Sequence, residues 1–71
     1  MNRTMLTTTA IRAIYAKWNA VPDVEQYYYE SDTATFPTMI GYFNEQGWDL
    51  RYHKGSYSIP DNQLDFFLLT L

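Results

Sequence analysis

The chain predicts an α+β fold, with two or three short helices packed on one face of a small antiparallel sheet centred on a hairpin at residues 48–59. Three observations predict it. The stretch Gly47 to Pro60 pairs about a single two-residue turn. Ile11, Ile14, Tyr15 and Trp18 recur at helical spacing, and Phe36, Met39, Ile40 and Phe43 do so again.

The hairpin is argued from pairing. With Lys54-Gly55 as the turn and Gly55 supplying positive φ, His53 faces Ser56, Tyr52 faces Tyr57, Arg51 faces Ser58 and Leu50 faces Ile59. Alternation then puts Trp48, Leu50, Tyr52, Tyr57 and Ile59 on one side and Asp49, Arg51, His53, Ser56 and Ser58 on the other. A slip by one residue would mix the two sets.

Taken in order, residues 1–6 read as a loose lead-in. A helix follows from Thr7 to about Asn19, capped by Thr8 or Thr9 and stopped by Pro22. Pro22-Asp23-Val24-Glu25 has the proline and acids of a helix's first turn, but Tyr27-Tyr28-Tyr29 favours extended structure. The preferred reading of 24–30 is a short strand or arm, with Ser31-Asp32-Thr33 as loop. Thr35 to Gln46 reads as the second helix, capped by Thr35, with Pro37 in its first turn and Gly47 as its stop. In the tail, Leu64, Phe67, Leu68 and Leu71 fit a helix capped by Asp61 or Asn62. Phe66 and Leu69 would also suit a third strand; helix is preferred, and either form needs cover.

Seventy-one residues make one domain, 1–71, near the lower size limit for a single core. There is no cysteine and one histidine, so neither disulfides nor a thiolate zinc site can staple it. Aromatic mass is the compensation: seven tyrosines, four phenylalanines and two tryptophans. Self-association would be another. No run is apolar for long enough to cross a bilayer, and the N-terminus lacks the apolar core of a signal peptide, so the expectation is a cytoplasmic protein.

The net charge of −3 is unevenly spread. Arg3, Arg12 and Lys17 lead; Asp23, Glu25, Glu30, Asp32, Glu45 and Asp49 then follow with no base among them. These carboxylates lack the spacing and turn glycine of a calcium loop, and a solvated acidic face is the plainer reading. His53 would need an orienting acid for catalysis, yet Asp49 lies four residues along the strand, about 13 Å away. No catalytic residue, metal site or cofactor is therefore assigned, and the chain is read as a non-enzyme.

Two surfaces remain. Tyr27, Tyr28, Tyr29, Glu30 and Asp32 form the preferred partner-binding segment, because three consecutive tyrosines cannot all enter one small core and exposed tyrosine suits interfaces. The expected function is a small acidic inhibitor or adaptor that occludes a basic site, such as a nucleic-acid-handling one, on a larger protein or complex. In size and charge alone it is comparable with mobile-element proteins that block host defence. The alternative is a winged-helix-like nucleic-acid binder using Arg51, Tyr52, Lys54 and Tyr57. Its charge is thin, since phosphate contact needs several bases.

Overall fold

In the computed structural model, which describes residues 2–29 and 38–71, the central turn takes the pairing read from the sequence. Lys54 and Gly55 have φ of 48° and 85°, the two positive values of a mirror-image turn whose twist matches that of its strands. The flanking strands pair Arg51 with Ser58, Tyr52 with Tyr57 and His53 with Ser56.

A third strand comes from the N-terminus. Arg3–Met5 forms β1, antiparallel to Ser56–Pro60 (β3), which also pairs with Arg51–His53 (β2), giving the order β1-β3-β2. Within the expected lead-in of residues 1–6, Arg3–Met5 is thus corrected to a sheet edge. Thr4 opposite Ile59 and Arg3 opposite Pro60 set the register, and the Leu6 N–H donates to the Tyr57 carbonyl at 2.8 Å to continue it.

Among the described residues four helices complete the fold: α1 (Thr8–Asn19), α2 (Asp23–Gln26), α3 (Met39–Glu45) and α4 (Asp61–Thr70). The Thr7 hydroxyl, rather than that of Thr8 or Thr9, caps α1 by accepting from the Ala10 N–H. Likewise Thr38, not Thr35, caps α3 through the Gly41 N–H; Thr35, Phe36 and Pro37 lie outside the described residues. In both cases the caps lie where the chain is still extended just before the first helical turn. Gly47 ends the α3 segment with φ 101° and leads into Trp48. The tail is a helix, as preferred, but Pro60 occupies its cap position, and Asp61 instead accepts a hydrogen bond from the Thr4 hydroxyl.

The core lies between the helices and one face of the sheet. Ile14, Phe43, Leu50, Ile59 and Phe67 are its most enclosed side chains, with Leu6, Ala10 and Met39 around them. Phe43 and Trp48 both meet the Phe67 ring edge-on, with centroids 5.7 and 5.2 Å away. Such contacts add to area burial, which suits a chain with little core to spare. On the hairpin's core side Tyr57 is half-buried and Tyr52 is exposed at the rim, its ring tilted against Tyr57 with centroids 4.9 Å apart. Tyr15 likewise stays largely outside and shares a 2.7 Å hydroxyl hydrogen bond with Tyr57.

Candidate functional site

The described part of the acidic tyrosine segment is not extended: the short helix Asp23–Gln26 continues as a turn through Tyr27 and Tyr28. Pro22, with φ −56°, sets the first turn, and its carbonyl accepts from the N–H groups of Glu25 and Gln26 at 2.9 and 3.0 Å. The turns continue through Tyr28 N–H to Glu25 carbonyl and Tyr29 N–H to Gln26 carbonyl, each at 3.1 Å. Local β propensity is overridden because two side chains tether the segment from inside. Gln26 donates through Nε2 to the carbonyls of Trp18 and Val21, at 3.2 and 3.1 Å, which ties the segment to the end of α1 and the residues just past it.

Tyr29 is the second tether. Its ring meets Tyr42 and Trp18 edge-on, with centroids 5.2 and 6.3 Å away, and Trp18 and Tyr42 themselves lie 5.5 Å apart. Burial first, then the nearby Glu25, Tyr42 and Glu45, raise its phenol pKa above the ordinary value. Its carbonyl accepts from Thr38 N–H at 3.1 Å, bringing the chain ahead of α3 back beside the aromatic triangle.

Around these tethers the remaining side chains face out. Val24, Tyr27 and Tyr28 are 76, 77 and 78% exposed and stand at i, i+3 and i+4, the spacing of one helical face. Asp23 and Glu25 are exposed beside them. Of the sequence-predicted site residues, the structure therefore brings Tyr27 and Tyr28 to the surface and turns Tyr29 inward as their anchor. Glu30 and Asp32 lie outside the described residues. Val24 was not grouped with the tyrosines because a strand reading sets it beside Gln26 and Tyr28 and puts Tyr27 and Tyr29 on the opposite face. The i, i+3, i+4 spacing from Val24, with Pro22 and Asp23 ahead of it, was the available signal.

The hairpin alternative is placed differently. Arg51 lies 3.3 Å from Asp49, which also binds Arg3 at 2.9 Å, so one of its two cations already faces a carboxylate. Tyr57 packs inward, leaving Tyr52, His53 and Lys54 exposed around the turn. His53 faces Ser56 across the strands, while Asp49 is engaged by the two arginines. Among the described residues no three His, Asp or Glu side chains converge as metal ligands, and no helix is long and apolar enough to cross a membrane.

A second apolar patch lies on α4. Phe67 is fully buried, whereas Phe66 and Leu69 are 68 and 83% exposed. The tail's need for cover is met on one face only.

Comparison with protein-family models, with curated proteins and with solved structures finds no match to this chain.

Proposed function

We propose that this chain is a non-catalytic protein-binding module, an inhibitor or adaptor that lays the Val24–Tyr28 turn against a basic surface on a larger protein. The observation that carries this reading is the exposure of Val24, Tyr27 and Tyr28 on a turn held to the core by Gln26 and Tyr29. A tyrosine held this way loses little freedom on binding and offers a large area with a polar tip, the character of interface hot spots. Asp23 and Glu25 beside it favour a partner of opposite charge and speed encounter with one.

The test is affinity capture with the wild type and with a Tyr27→Ala, Tyr28→Ala double variant. Both positions are exposed, so circular dichroism and melting temperature should match between the two chains. The reading expects a protein retained by the wild type and lost by the double variant. It also expects that protein's association rate to fall as salt is raised, because steering is screened. Equal retention by both chains, or a gel shift of nucleic acid by the purified chain at micromolar concentration, would overturn it.

A further inference from the structure

We infer that the β1 edge of the sheet is a self-pairing surface, on which a second copy of this chain adds its own β1 in antiparallel register. The inference starts from which main-chain groups β3 leaves free. Asp61 N–H donates to the Asn2 carbonyl and Leu6 N–H to the Tyr57 carbonyl, so the residue pairs 2 with 61 and 6 with 57 are hydrogen-bonded. Alternation along an antiparallel ladder makes Thr4 with Ile59 the bonded pair between them. Arg3 with Pro60 and Met5 with Ser58 are then the unbonded pairs, consistent with Pro60 having no N–H.

The N–H and C=O of both Arg3 and Met5 therefore point away from the sheet. Among the described residues no loop or side chain hydrogen-bonds to these four groups. The other edge is treated differently. There the outward groups of Leu50 are both taken by the Asn44 side chain, which leaves only Tyr52 open, between Arg51 and His53. Capping and charge are the usual protections of an edge strand; β1 lacks the first, and its one charge, Arg3, is drawn onto Asp49 at 2.9 Å.

The occupant follows from self-complementarity. A two-fold axis through Thr4 sets Arg3 against Met5 of the partner subunit and Met5 against Arg3 of the partner subunit. Both pairs then exchange two main-chain hydrogen bonds, and the three-stranded sheets join into a continuous one. Met5, 67% exposed in the single chain, lies beside the aliphatic stem of the opposing arginine. The guanidinium raises no repulsion across the axis because it is already bound to Asp49 at 2.9 Å. A three-residue strand pair covers well under the ~1,200 Å² of a stable interface, so the dimer is weak and reversible.

The experiment is sedimentation of the full chain from about 10 μM to about 1 mM, alongside amide hydrogen exchange at both ends of that range. The expected result is a monomer–dimer equilibrium in which the Arg3 and Met5 amides gain protection with concentration, while Thr4 is protected throughout. Met5→Pro removes an N–H that faces away from β3, which edge strands tolerate, and should weaken dimerisation at least tenfold with the fold intact. A chain that stays monomeric throughout overturns the inference. So does a dimer in which the Met5 amide exchanges at the same rate at both concentrations, a readout that does not depend on the variant folding. A dimer lost on Phe66→Ser, Leu69→Ser but kept in Met5→Pro would assign self-association to α4 instead.

Discussion

The side-chain amide of Asn44 stands in for a missing strand beside Leu50, donating through Nδ2 to its carbonyl at 3.0 Å and accepting from its N–H through Oδ1 at 2.8 Å. Leu50 is 1% exposed, so both of its main-chain groups would otherwise be enclosed without partners. The pair ties α3 to the start of β2 and fixes where Trp48 and Leu50 enter the core.

Replacing Asn44 by alanine should therefore cost more than an ordinary surface change, about 2 kcal/mol, because two buried polar groups lose their partners together. Asn44→Asp keeps an acceptor for the N–H but sets a carboxylate against the Leu50 carbonyl, and should be destabilising as well. Urea unfolding checks both: the midpoint should fall while the slope stays unchanged.

Arg3 links β1 to the far side of the sheet. Its Nε donates to the Ser58 hydroxyl at 3.0 Å, Nη1 to the Asp49 carboxylate at 2.9 Å, and Nη2 to the carbonyls of Asp49 and Ser58. Burial alone would raise the Asp49 pKa, but hydrogen bonds from Arg3 and Arg51, and their charges, outweigh it and hold the carboxyl below its ordinary value near 3.8. A depressed folded pKa gives stability that is present above the unfolded value and lost as pH falls through the folded one. Thermal melts should show this loss below about pH 4, and Asp49→Asn should remove it. The side chain of Asp49 is 44% exposed, so solvent screening keeps the effect under about 1 kcal/mol. Arg3→Ala should cost more, roughly 1–3 kcal/mol, because it removes all four hydrogen bonds at once.

At the alkaline end the sign reverses. Burial, followed by the hydrogen bond and proximity of Tyr15 and then by Tyr52, raises the Tyr57 phenol well above its ordinary value of 10. The neutral phenol is thus favoured in the folded chain. Its contribution is fully present below pH 10 and is lost as pH rises from there toward the folded pKa, since the unfolded chain ionises first. The difference in tyrosinate absorbance between the wild type and Tyr57→Phe should place the ionisation of Tyr57 above pH 10. Tyr57→Phe should flatten the alkaline loss of stability. An unaltered alkaline limb in that variant would place the titrating group elsewhere.

What could be read beforehand followed the range of the forces involved. The hairpin was legible to the residue because one turn sorts two strands of alternating side chains, and everything it needs lies between Trp48 and Pro60. β1 was not, because Arg3-Thr4-Met5 is too short to show alternation and its partner Ile59 lies 55 residues along the chain from Thr4. The extended reading of 24–30 rested on the propensity of three tyrosines, and over residues 24–29 it fails where Gln26 and Tyr29 reach Trp18, Val21 and Tyr42. That some of those tyrosines stay outside followed from their number alone. Which one turned inward depended on the Trp18 and Tyr42 rings, which no local rule supplies.

The turn that organises the sheet also carries its most easily relieved strain. Lys54 is the only non-glycine residue with positive φ among those described, at 48°. Lysine pays a steric cost there that asparagine, able to bond its own backbone, and glycine largely avoid. Lys54→Asn should raise stability by about 0.5–1 kcal/mol by giving the turn its preferred Asn-Gly pair. Gly55→Ala should lower it by about 1 kcal/mol through backbone strain at φ 85°, because an added Cβ meets nothing within 4 Å. The two variants together test whether the hairpin's register is set by its turn. If Lys54→Asn left the melting temperature unchanged, the register would be set by the Tyr52–Tyr57 and Leu50–Ile59 pairs across the strands, with the turn merely following.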